Sequence, residues 1–209
     1  MHNAQNLEME GQDRLESLEA VVVFVLPLII SVPLYVLGFL AEVPGNYIMY
    51  TVYVICSIAL TKFNGRPLSK IGLTGKDFLS SFGFSMVPIL GSFLDRLIFS
   101  DFRLASNVNS LASITNGLLY WSVSGLGQEI LFRGLILFSF QRWKGWKFAL
   151  IVSSVLFGLM HVQQGVAGII FTIVIGAYWG WVAIKTKNIF GIILSHSLFN
   201  FLFSFMLMS

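Results

Sequence analysis

From Leu111 to Phe140 the chain is a long, largely apolar region whose only two formal charges are Glu129 and Arg133. Such a run has the character of a membrane span. At about 1.5 Å of rise per residue it is too long for one straight crossing of a hydrocarbon core roughly 30 Å thick. It therefore reads as one long tilted helix or a broken one, with Gly117, Gly125 and Gly127 as bend points. A charge at mid-membrane depth is costly unless it pairs or lines a cavity, so it marks a functional position by default. Glu129 and Arg133 are four apart and share one face of a helix. Gln128 adds an amide one step round. Two readings follow: a buried ion pair that holds a bundle together, or a charge kept for chemistry.

The rest of the chain agrees with a membrane origin. It is 56% hydrophobic and 11% charged, with a mean hydropathy of +0.81; soluble domains carry about 25% charged residues. Further apolar runs cover residues 20–40, 47–61, 78–99, 148–162, 166–184 and 189–208. The predicted fold is an all-α polytopic membrane protein: a bundle of about seven transmembrane helices around an intramembrane polar cavity. Residues 1–19 read as an acidic cytoplasmic tail, flexible or short-helical, and residues 20–209 as a single transmembrane domain. Pro27 and Pro33 are expected to kink the first span, which neighbouring helices make tolerable. The Gly176–Gly180 spacing suits close helix packing. Cys56 is the only cysteine, which excludes an internal disulfide and a cysteine-rich metal cluster.

Charge sets the expected orientation. In the seven-span reading, ten basic residues fall on one side: Arg14, four in the loop 62–77, three in the turn 141–147, and Lys185 and Lys187. Two fall on the other, Arg96 and Arg103. Basic loops stay cytoplasmic, beside anionic lipid, so the N-terminus is expected there too. The net charge of +3 reflects this asymmetry and gives no reason to expect a nucleic-acid partner.

Away from loops and span ends, the polar side chains that stand out are Gln128, Glu129, Arg133, His161, His196 and Asn200. A lone intramembrane histidine is more often a hydrogen-bond partner between helices than a catalyst. Here a carboxylate, a guanidinium, two imidazoles and two amides come from three spans, with little else to pair with. They must meet or bear the cost of desolvation separately. Together they can hydrolyse an amide. A carboxylate and an imidazole can draw a proton from water, and a second imidazole and an amide can donate to the oxyanion. Two histidines and a glutamate could also bind Zn²⁺. A different class, a small ion-coupled transporter using the charges as a relay, is weakened by the lack of an inverted repeat.

Three short motifs sharpen this reading: Gln128-Glu129-Ile-Leu-Phe-Arg133, Phe157-Gly-Leu-Met-His161 and His196-Ser-Leu-Phe-Asn200. In order and spacing they resemble EExxxR, FxxxH and HxxxN of the CAAX protease and bacteriocin-processing (CPBP, Abi) family of intramembrane glutamic proteases. The resemblance implies a helical bundle with a polar cavity opening toward the cytoplasm. It implies an endopeptidase acting on a peptide or a prenylated, CAAX-type peptide. Gln128, Glu129, Arg133, His161, His196 and Asn200 would be its catalytic set, with Phe157 at the substrate. The motif glutamate and His161 would activate water, and His196 with Asn200 would hold the oxyanion. No cofactor is implied; Zn²⁺ was long suspected in the family and is the less favoured option. Some relatives serve bacteriocin maturation or self-immunity.

One position departs from the pattern. The first glutamate of the motif, usually the base, is Gln128 here. An amide is nearly isosteric but cannot take up a proton at neutral pH. The chain is then an inactivated variant of an active protease, a natural pseudoprotease that binds peptides or partners, or a protease with Glu129 as base. Consecutive residues point about 100° apart on a helix, which argues against the last.

Overall fold

The computed structural model describes residues 2–39, 42–99, 105 and 108–206. The described residues form helices and the turns between them. These are α1 (His2–Val36), α2 (Glu42–Phe63), α3 (Phe78–Ser85), α4 (Val87–Phe99), α5 (Leu111–Glu129), α6 (Phe138–Lys144), α7 (Trp146–Leu159), α8 (Gly165–Thr186) and α9 (Phe190–Asn200). A π-helical segment, Ile130–Leu137, joins α5 to α6, so that Leu111–Lys144 is one rod. A second π segment, Phe201–Met206, extends α9. The seven apolar runs thus become seven rods of an all-α polytopic membrane protein. Four are long and apolar enough to cross a membrane by themselves: Glu8–Val36, Phe78–Ile98, Leu111–Lys144 and Val162–Thr186. Trp146–Leu159 and Phe190–Met206 are shorter apolar helices.

Several local expectations change. The acidic stretch before the first span is not a separate flexible tail: α1 begins at His2 and runs through it without interruption. The turn expected at 41–46 lies partly outside the described residues, and from Glu42 the chain is already helical. Pro44, near the start of α2, occupies a stretch where its missing N–H costs little. The expected turn at 100–109, with Arg103, lies largely outside the described residues. The glycines of the long rod are not bends. Gly125 lies against Ser197 of α9 and Gly127 against Tyr50 of α2, so closely that an added Cβ would stand 2.3 Å from Ser197 Oγ and 2.7 Å from Tyr50 Cβ. They let α9 and α2 approach the α5 backbone, as small residues do between membrane helices. Gly180 does the same for α7, where an added Cβ would meet Leu150 at 2.7 Å.

The two ends of the bundle differ. At one end the basic loop, the turn after α6 and the turn after α8 interlock. Asn188 donates its amide to the carbonyls of Thr74 and Lys76, and Ile189 N–H bonds to Gly72 O at 3.0 Å. Gly72 has φ +76°, a conformation that favours glycine, and an added Cβ would stand 2.9 Å from both Phe138 and Ile189. The acidic part of α1 closes the same end. Arg66 reaches Asp13 at 2.8 Å and Glu16 at 2.9 Å, and Arg142 reaches Glu16 at 2.7 Å. Glu16 is 1% exposed and serves two guanidinium groups at once. These charge-assisted bonds explain why the helix does not stop at the first apolar residue.

Removing one member of a buried charge cluster leaves the others uncompensated, at a cost of about 3–5 kcal/mol. Glu16→Ala should therefore lower the unfolding midpoint in detergent clearly, whereas Glu8→Ala, on the exposed face, should leave it unchanged. Equal midpoints for the two variants would refute the clamp.

Candidate active site

The site is assembled where the long rod meets α7, α8 and α9. Glu129, the last residue of α5, is fully buried. Its Oε1 accepts from Arg133 Nη1 at 3.0 Å and from His196 Nδ1 at 2.6 Å. One carboxylate oxygen thus links the long rod to α9. The expected pairing of Glu129 with Arg133 is present, and His196 joins it. Arg133 lies in the π segment, also fully buried. Its Nη2 donates to Gly176 O at 3.3 Å, and its guanidinium stands 4.1 Å from the centre of the Phe157 ring. The absence of a side chain on Gly176 allows this approach; a Cβ there would lie 3.0 Å from Phe157.

His196 is further oriented by Trp179, whose ring centre is 4.7 Å away. Trp179 is in turn fixed by its indole N–H, which donates to Ser85 O at 3.1 Å. His161 lies at the turn after α7. Its Nδ1 is 2.8 Å from Phe157 O. A carbonyl can only accept, so the Nδ1 proton is fixed there and Nε2 is left free. The same logic holds for His196, whose Nδ1–H points to the Glu129 carboxylate. Both rings contact Phe157, at 4.8 Å for His161 and 5.8 Å for His196.

A cavity of about 680 Å³ opens beside these groups, lined among others by Phe157, His161, Trp179, His196 and Asn200. Glu129 and Arg133 do not line it; they stand behind His196. Gln128 is turned elsewhere. Its amide donates to Ser124 Oγ at 2.9 Å and Tyr50 Oη at 3.1 Å, toward α2. Of the seven residues singled out from sequence, then, four face the cavity, two support it from behind, and Gln128 lies on a different side. Trp179, Tyr50 and Ser124 were not foreseen. Ser124 is four residues before Gln128 and legible as its helical neighbour, whereas Tyr50 and Trp179 carry no sequence signal that separates them from packing aromatics. Among the described residues no three His, Cys, Asp or Glu side chains gather as a metal site.

Residues 110–202 match the family described as "Rce1-like: Type II CAAX prenyl endopeptidase Rce1-like". This stretch belongs to the CAAX protease family. The match spans all three motifs and supports an endopeptidase of CAAX type at family level, and the four long apolar helices point to an integral membrane protein. The Rce1-like family implies peptide or prenylated-peptide substrates. No curated protein and no solved structure matches the chain.

The same cavity is lined further by Asp95 and Arg96 of α4, Gln164 of the turn after α7 and Ser204 beyond α9.

Loss of the Glu129 carboxylate would strand the Arg133 guanidinium in the core, at about 3–5 kcal/mol. Glu129→Ala should thus lower the unfolding midpoint strongly, and the double variant Glu129→Gln with Arg133→Met should regain most of the loss. A parent-like midpoint for Glu129→Ala would sink the buried-pair account.

Proposed function

We propose that this chain is a CAAX-type intramembrane endopeptidase that hydrolyses the peptide bond of a peptide or lipidated peptide with water activated by histidine. The observation that carries this reading is the pair of cavity-facing imidazoles, each with Nδ1–H committed to an acceptor behind it. His161 Nε2 is the base. It takes a proton from water as the oxygen bonds to the scissile carbonyl carbon. His196, held by Glu129, orients the same water. The Asn200 amide donates to the oxyanion as the carbonyl π bond breaks. When the tetrahedral species collapses, the C–N bond breaks and the proton on His161 passes to the leaving amine. Phe157 forms the wall that keeps both rings in place and lines the path of the substrate. Glu129 and Arg133 act through His196, as the carboxylate of a serine-protease triad acts through its histidine. Water activation calls for no metal, so chelators are expected to leave the rate unchanged.

A second reading, a pseudoprotease that binds peptides without cutting them, is favoured by one observation: the amide at position 128, where the family motif has a glutamate. The two readings separate in one assay, release of the C-terminal tripeptide from a farnesylated peptide by the purified chain. On the first, His161→Ala should lower kcat by a factor on the order of 10² or more, the usual worth of a positioned base, while Gln128→Glu should change it less than about tenfold. On the second, the chain as it stands should be inert and Gln128→Glu should create activity.

A further inference from the structure

We infer that an anionic phospholipid seats in a groove between α5 and α9, with an acyl chain against the apolar lining and its phosphate on Lys76 and Lys187. The site is separate from the histidine cavity, with which it shares no lining residue. It does not depend on the endopeptidase reading.

The groove has a volume of about 430 Å³ and follows one face of α9. Phe190, Ile193, Leu194 and Ser197 line it, at the three- and four-residue steps that stack on a helix. At 1.5 Å of rise per residue they cover about 10 Å of the axis. Phe78 of α3 and Leu126 and Ser122 of α5 line it with them. The two serines apart, the lining is hydrocarbon and aromatic. A ligand that fills it must offer hydrocarbon in turn.

One end of the groove is marked by charge. Phe78 and Phe190 are the first residues of α3 and α9, and the segments leading into them are tied together. Asn188, with no exposed surface, donates its amide to the carbonyls of Thr74 and Lys76. Lys76 and Lys187 thus stand on adjoining stretches of backbone, and both are exposed. Lys187 closes α8 at φ +52°, in the region where a helix more often ends on glycine, and its N–H bonds to Ala183 O at 2.7 Å. Its charge is therefore carried on a fixed turn. With Lys185, the stretches 74–78 and 185–190 hold three cations against one acid, Asp77. Arg66 and Arg142 are already matched to Asp13 and Glu16, whereas no described carboxylate pairs with Lys76 or Lys187. Lysine is a good point-charge partner for phosphate. Unmatched lysines beside an apolar groove are complementary to a molecule that joins phosphate to hydrocarbon. Soluble phosphate would leave the groove empty, and a zwitterionic lipid brings a cation of its own. Anionic phospholipid satisfies both parts.

The test uses the full chain reconstituted in phosphatidylcholine vesicles. Trace spin-labelled phosphatidylglycerol or phosphatidylcholine is added, and the fraction of each probe immobilised by the protein is read by electron paramagnetic resonance. The parent should hold the phosphatidylglycerol probe several-fold more strongly. Lys76→Gln with Lys187→Gln should bring that ratio close to unity. Leu194→Trp fills the groove, leaves every charge in place and should lower the ratio as well. Lys144→Gln with Lys147→Gln removes the same charge from other exposed positions and should leave the parent ratio. No preference in the parent, or a parent-like ratio after loss of Lys76 and Lys187, would overturn the inference. Equal losses in the two lysine pairs would overturn it too, by reducing the effect to general surface charge. If Leu194→Trp spares the ratio but abolishes binding of a farnesylated peptide, or dissociates a dimer, the groove has that other occupant and the lipid assignment fails. If Leu194→Trp does not fold, the two lysine pairs, which alter exposed side chains, decide the matter.

Discussion

A single carboxylate oxygen, Glu129 Oε1, receives both the Arg133 guanidinium and the His196 imidazole in a region without solvent. A buried carboxylate is costly unless the geometry around it is good and its partners are themselves satisfied. Much of the bundle can be understood as meeting that condition. Gly125 removes the side chain that would hold α9 away from α5. Gly176 opens a carbonyl to the guanidinium and leaves room for the Phe157 ring beneath it. Trp179 covers the other side of His196 and is itself tied to the carbonyl of Ser85. The π segment that starts directly after Glu129 adds a local widening of the helix, a feature found often at functional positions.

The two polar clusters of the chain are arranged in opposite ways. Around Glu16 the charges sit at one end of the bundle and close it, drawing α1, the basic loop and α6 together. Around Glu129 the charges sit deep and stabilise groups that face an opening. The same residue types therefore serve closure at one end and exposure at the other, and what differs is depth. At that end two arginines can share one glutamate while keeping partial contact with water. In the interior one arginine is matched to one glutamate, and the same carboxylate oxygen also takes the histidine.

Much of this was legible in the sequence. Apolar runs gave the seven rods, because backbone groups in lipid must bond within their own helix. The pairing of Glu129 with Arg133 and the shared cavity of His196 and Asn200 follow from spacing on a helix; His161 meets Phe157 from the turn just past α7, where its Nδ1 bonds to the Phe157 carbonyl. The turn of Gln128 toward α2 was not legible. It depends on Tyr50, whose hydroxyl becomes a partner only through the close approach of α2 at Gly127. The docking of the acidic segment was missed for a related reason: Asp13 and Glu16 find their partners in Arg66 and Arg142, and neither local pattern nor composition reveals a pair so far apart.

The clamp on α1 has a consequence for biosynthesis. Glu16 and Arg142 are 126 residues apart, so α1 leaves the ribosome well before α6 and waits for one of its arginines until α6 is made. Arg66 arrives earlier and can hold α1 and α2 as a provisional pair. Only when the long rod has entered the bilayer does the second guanidinium reach the carboxylate. The N-terminal helix is thereby fastened by the same rod whose middle carries Glu129 and Arg133, and completion of the clamp reports that this rod has been inserted.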